Sequence, residues 1–122
     1  MYSQVNGMGL FGMNAFKVTA EIMSSRGQPS FDIVGLGDLA VQESKMRIKG
    51  ALSGIGISVS GQRLTVNLAP ADVRKCGSLY DFTIIAAILA VNNIITDDLS
   101  GCAFIGEVSL GGSLVFTGGI IS

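Results

Sequence analysis

The chain has 122 residues, enough for one hydrophobic core and too few for two, so it reads as a single domain over residues 1–122. Apolar residues make up 48% and charged residues only 14%, which excludes a disordered chain. Eight basic against nine acidic residues leave a net charge of −1: there is no global pull toward nucleic acid or an anionic membrane, although a local basic face fits within a neutral total.

Residues 2–10 and 15–23 alternate as strands do, the second with Phe16, Val18, Ala20 and Ile22 on one side and Lys17, Thr19 and Glu21 on the other. Gly12 and its neighbours turn the chain between them. A polar turn with Gly27 and Pro29 leads into a short strand at 31–34. Asp38 is placed to cap a helix running to about residue 53, with Val41, Ile48, Leu52 and Ile55 on its buried face and Gly54 and Gly56 to stop it. A β-branched strand at 64–68 then runs to Pro70, a polar loop containing Gly77 follows, and Asp81 stands where it could cap the apolar helix behind it. Asn92 and Asn93 end that apolar run well short of the roughly 18 residues a membrane span requires, so the helix belongs to the core and no membrane partner is expected. Strands at 103–108 and 113–116 complete a mixed α/β order.

Cys76 and Cys102 occur without any histidine, which removes the usual tetrahedral zinc patterns and every histidine-based triad. No charged side chain precedes Lys17, so the basic start of a secretory leader is missing, and the two thiols read as reduced groups of a cytoplasmic protein. The last residues, Gly118-Gly-Ile-Ile-Ser122, are an odd finish for a domain, and the expectation is a domain truncated at its C-terminal end.

Four segments carry a family resemblance. The string Asn67-Leu-Ala-Pro-Ala-Asp72 with Lys75, Gly77, Tyr80 and Asp81 resembles the amino-terminal domain of the magnesium-chelatase-like AAA+ ATPases of the competence-protein ComM type. Gly12-Met-Asn-Ala15, Val34-Gly-Leu36 before a helix carrying Val41, Glu43, Arg47 and Ala51, and Gly106-Glu-Val-Ser-Leu110 with the glycine pair after it agree. Gly37, Arg74 and Thr83 stand where the family would have proline, and Cys76 where it would have an acid.

The resemblance implies an α/β (α+β) fold similar to the second domain of ribosomal protein S5 and to the Lon proteolytic domain: an antiparallel-leaning sheet with helices on one face. It implies a non-catalytic accessory domain of a longer protein that works in DNA branch migration and recombination during natural transformation. The domain's partners would be its own AAA+ module and neighbouring subunits of a hexameric ring, with single-stranded or branched DNA as a further contact. ATP and magnesium belong to that module, and no cofactor is expected in this chain. Two alternatives stand beside this reading, a degenerate or active serine-lysine peptidase and a magnesium-chelatase-related ATPase subunit.

The residues weigh these readings. Gly35-Leu-Gly37 follows a strand and opens a helix, as a dinucleotide fingerprint does, but no acid between Ser44 and Ala71 is available for the ribose and Asp38 would repel a phosphate; a tight turn is the plainer reading. No Gly-Lys pair followed by Ser or Thr occurs, so a phosphate loop is excluded. By resemblance to Lon the nucleophile position falls on Leu79 and the lysine position on Ile121, neither of which can serve. Ser78 and Lys75 lie close by, although a serine beside Gly77 is ordinary turn chemistry.

Asp72 and Asp81 read as turn and cap residues more than as a catalytic pair, and with Pro70, Gly77 and Tyr80 they make a structural loop. Lys45 and Lys49 share a helix edge, and Arg63, Arg74 and Lys75 bracket the central strand, a candidate phosphate-tracking strip. Arg47 is less available, because Glu43 precedes it by four residues in the order that favours a helical ion pair. The plainer alternative is a solvated helix face, since no aromatic residues interleave to stack bases.

Overall fold

The computed structural model describes residues 1–11, 14–57, 61–70, 77–96, 98–99, 101–108 and 114–115. Strands β1 (Tyr2–Phe11), β2 (Asn14–Arg26), β3 (Ser30–Val34) and β4 (Gln62–Ala69) form one sheet in the order β1-β2-β4-β3. β1 and β4 run antiparallel to β2, and β3 runs parallel to β4 through helix α1 (Asp38–Gly54). A 3-10 turn (Gly77–Tyr80) leads into helix α2 (Asp81–Val91), and the short strands β5 (Glu107–Val108) and β6 (Leu114–Val115) pair with each other.

The period-two pattern of the strands selects one buried face. Val18, Ala20 and Ile22 of β2, Leu64, Val66 and Leu68 of β4, Val5 of β1 and Ile33 of β3 are buried, and the register lines them up across the sheet. Ile48, Ala51 and Leu52 of α1 and Ile84, Ile88 and Val91 of α2 complete the core, so both helices lie on that face. Tyr2, Met23 and Val34 stay about half exposed on the other face. There the Tyr2 hydroxyl donates to Glu21 Oε2 at 2.9 Å, and Asn67 Nδ2 donates to Glu21 Oε1 at 3.3 Å.

Both helices stop through the same backbone device. After α1 the Gly56 amide donates to Ser53 and the Ile57 amide to Leu52; after α2 the Asn93 amide donates to Ala90 and the Ile94 amide to Leu89. These are paired Schellman bonds that satisfy the last free carbonyls, and they require a left-handed residue, Gly56 at φ +79° and Asn93 at φ +59°. The sequence reading placed both stops correctly.

Several boundaries differ from expectation. Gly37 is the N-cap of α1, and Asp38 is the first helical residue, where its charge still favours the dipole's positive end. Ile55 is 53% exposed rather than core, because the helix ends at Gly54 and the chain turns away. The expected strand at 103–108 shrinks to Glu107–Val108, with Ala103 in a lone bridge to Asn6. Gly106, at φ +153°, interrupts it and donates its amide to Leu79.

Candidate functional site

The segment that carries most of the resemblance sits where four elements meet. β4 delivers the chain to Pro70 through a cis Ala69–Pro70 peptide, and the chain re-enters at the 3-10 turn, whose last residue, Tyr80, is buried at the head of α2. β1 makes room for it with glycines. A Cβ on Gly9 would lie 2.5 Å from the Tyr80 hydroxyl, and one on Gly7 would lie 2.7 Å from Thr83 Oγ1. Thr83 donates to the Phe104 carbonyl at 2.6 Å, Phe82 takes the Gly106 carbonyl, and the Phe82 and Phe104 rings meet edge-on with centroids 5.4 Å apart.

Asp81 does more than begin a helix. It is fully buried, and it accepts hydrogen bonds from Ser44 Oγ at 2.8 Å, Arg47 Nε at 2.5 Å and Arg47 Nη2 at 3.2 Å. The Arg47 side chain is only 21% exposed, so the two-pronged pair works largely out of water. It ties the middle of α1 to the first turn of α2 and so fixes where the loop between β4 and α2 must end. The expectation that Glu43 would hold Arg47 is corrected: the guanidinium turns inward to the buried carboxylate. Ser44 was the overlooked signal, a polar residue three after Val41 and four before Ile48 on the helix's apolar stripe.

The basic candidates separate. Lys49 is exposed and Lys45 half-buried on α1, in the helical layer. Arg63 alternates with the buried Leu64, which puts it on the opposite, solvent face of the sheet beside Gly27. Arg74 and Lys75 of the strip, and Asp72 of the loop, lie outside the described residues, as do Cys76 and Ile121. Lys49 also edges an apolar groove of about 280 Å³ formed with Pro29, Phe31, Leu52, Gln62 and Ile88. Gln62 is fixed there by donating to Asn92 Oδ1 at 2.6 Å.

The Gly35-Leu-Gly37 turn has a structural explanation. Gly35 sits at φ +107°, and a Cβ on it would lie 2.4 Å from the Leu68 carbonyl oxygen, so the space beside it is filled by β4. That arrangement does not fit a phosphate cradle. Leu79, just before the buried Tyr80 and Asp81, packs against the core. Among the described residues no three His, Cys, Asp or Glu side chains come together as metal ligands, and no helix is long and apolar enough to cross a membrane.

Comparison with known proteins reaches nearly the whole chain. The family described as subunit ChlI of Mg-chelatase matches residues 20–122. An uncharacterized protein of Escherichia coli K12, YifB, is 36% identical over 121 residues, covering 98% of this chain and 24% of that protein. The competence protein ComM of Haemophilus influenzae is 37% identical over 111 residues, covering 90% of this chain and 22% of that protein. An uncharacterized protein of Mycobacterium bovis, Mb2921c, is 36% identical over 102 residues, 83% of this chain and 20% of that protein. The chain thus spans about a quarter of the length of the first two of these relatives.

Proposed function

The chain belongs to the family of subunit ChlI of Mg-chelatase, and from that premise we propose that it is a non-catalytic accessory domain of a magnesium-chelatase-like AAA+ ATPase, of the second-domain-of-S5 and Lon-like fold. Its work is to position the motor: it contributes to ring assembly and presents the Lys45–Lys49 edge of α1 to single-stranded or branched DNA during recombination. ATP and magnesium are held by the AAA+ module of the longer protein. The similarity to a competence protein over 90% of the chain supports the setting.

The observation that carries the non-catalytic half is local. In the loop where a Lon-like domain would hold its nucleophile, this chain has Leu79, half-buried against the core, directly before a Tyr80 and an Asp81 that are wholly enclosed. A side chain packed in that way has neither the atom nor the access for nucleophilic attack. The test is direct: the folded chain is incubated with a serine-directed phosphonate probe and, separately, with ATP and magnesium. The expected result is no labelling and no hydrolysis above a heat-denatured control. Labelling that disappears on Ser78→Ala would replace this reading with a peptidase.

A further inference from the structure

The groove beside Lys49 is walled by four elements. Phe31 of β3, Leu52 of α1, Leu64 of β4 and Ile88 of α2 line it, and the last three are core residues no more than 3% exposed. Walls of that kind stand in place before a ligand arrives, and a volume of about 280 Å³ accommodates one aromatic group with a short side arm. Two polar groups interrupt the apolar lining. Lys49 stands exposed at the rim, makes no ion pair among the described residues, and shares the lining with no carboxylate. Gln62 Oε1 is enclosed beside the groove and accepts no hydrogen bond among the described residues, although the nitrogen of the same amide donates to Asn92 Oδ1 at 2.6 Å. A buried acceptor without a donor is uncommon in a native protein and marks a place where a donor is gained at no other bond's expense.

We infer that this groove binds a small aromatic carboxylic acid that carries a ring N–H or O–H. The ring lies between Phe31, Leu52, Leu64 and Ile88, the carboxylate pairs with Lys49, and the ring donor serves Gln62 Oε1. A cation with no acid beside it selects an anion. A rigid ring holds its two polar ends apart at lower entropic cost than a flexible chain does, and Phe31 gives it an aromatic neighbour to pack on. Asn92 keeps its hold on the Gln62 amide nitrogen, so the oxygen meets the incoming donor by pivoting about that bond. The inference goes beyond the accessory-domain reading and does not rest on it, because acid binding needs neither DNA nor a ring of subunits.

Indole-3-propionate is the probe. Titrated into the isotope-labelled chain and followed by heteronuclear NMR, it is expected to shift the amides around the groove saturably, with a dissociation constant of about 1 mM or tighter, the range open to a ligand of about a dozen heavy atoms. Lys49→Met, which keeps the apolar stem, weakens binding by about fivefold. The uncharged amide of the same acid is weakened by a similar factor on the parent chain and loses nothing further on Lys49→Met, because the two changes remove one interaction. The N-methyl analogue, which lacks the ring donor, binds the parent about threefold more weakly than the probe, and that difference vanishes in Gln62→Met. The same spectra show that each variant is folded. No saturable shift up to about 10 mM, shifts that map away from the groove, an affinity indifferent to Lys49→Met, or an N-methyl penalty that persists in Gln62→Met overturns the inference.

Discussion

Removing the Arg47 guanidinium while keeping its stem, by Arg47→Met, isolates the contribution of the buried pair. Asp81 is fully enclosed and the Arg47 side chain is 21% exposed, so the variant leaves a carboxylate out of water without the guanidinium that pairs with it. Breaking a buried pair in this way costs about 3–4 kcal/mol, a large share of the roughly 5–15 kcal/mol that holds a domain of this kind together. With a urea dependence of about 2 kcal/mol per molar, the unfolding midpoint falls by about 1.5–2 M. Equilibrium urea unfolding followed by circular dichroism reads this directly. Asp81→Asn, which keeps an acceptor for Ser44 and removes the stranded charge, loses less, about 1–2 kcal/mol. Arg47→Met combined with Asp81→Asn loses no more than Arg47→Met alone, because the penalty belongs to the unpaired charge. A loss below about 1 kcal/mol for Arg47→Met would mean that the pair behaves as an exposed one and would refute the reasoning.

Three further outcomes follow from backbone and surface geometry. Gly35→Ala puts a methyl 2.4 Å from the Leu68 carbonyl oxygen at φ +107°, and thermal unfolding is expected to show a loss of at least about 2 kcal/mol. At the end of α2, Asn93 holds φ +59°, so Asn93→Gly is neutral or stabilising by up to about 1 kcal/mol while Asn93→Val is destabilising by about the same amount. The hydrogen bond to Glu21, then desolvation and the Glu21 charge, hold the Tyr2 phenol above its usual pKa of 10.0. A raised folded-state pKa means that any stability it contributes is complete below the ordinary tyrosine pKa and is lost as pH rises through the folded value. Alkaline titration of a Tyr80→Phe variant at the phenolate absorbance should therefore show a late transition that moves to lower pH with Glu21→Gln.

The strands of the sheet were legible because a one-sided sheet writes its burial into a two-residue period, as Val18, Ala20 and Ile22 do against Lys17, Thr19 and Glu21. The helix stops were legible because only Gly and Asn sit easily in the left-handed turn that closes a Schellman motif. What escaped was set by contacts between distant parts of the chain. The bond from Arg47 to Asp81 spans 34 positions, and nothing local to α1 distinguishes an arginine that pairs with Glu43 from one that reaches another helix. The strand expected at 103–108 was overread for a similar reason. Its apolar character is real, but Gly106 and Phe104 spend their backbone amides on Leu79 and Asn6, and that competition is invisible to periodicity. Within the basic strip, Lys45 and Lys49 do share a helix edge, but which side of the sheet that helix covers is set by tertiary packing, and the pleat sends Arg63 to the face that the two lysines do not share.

The central claim, that this domain is a DNA-contacting accessory whose contact runs along α1, is tested most directly by fluorescence anisotropy with single-stranded and branched DNA across a salt series. Saturable binding is predicted, with affinity falling steeply as salt rises. Replacing Lys45 and Lys49 with alanine should make the log–log slope shallower by about 1.5 units, the counterion release of two phosphate contacts. Arg63→Ala, on the other face, should leave that slope within error of the parent. A folded chain that binds neither DNA, or binds with a slope indifferent to the two lysines, would contradict the account.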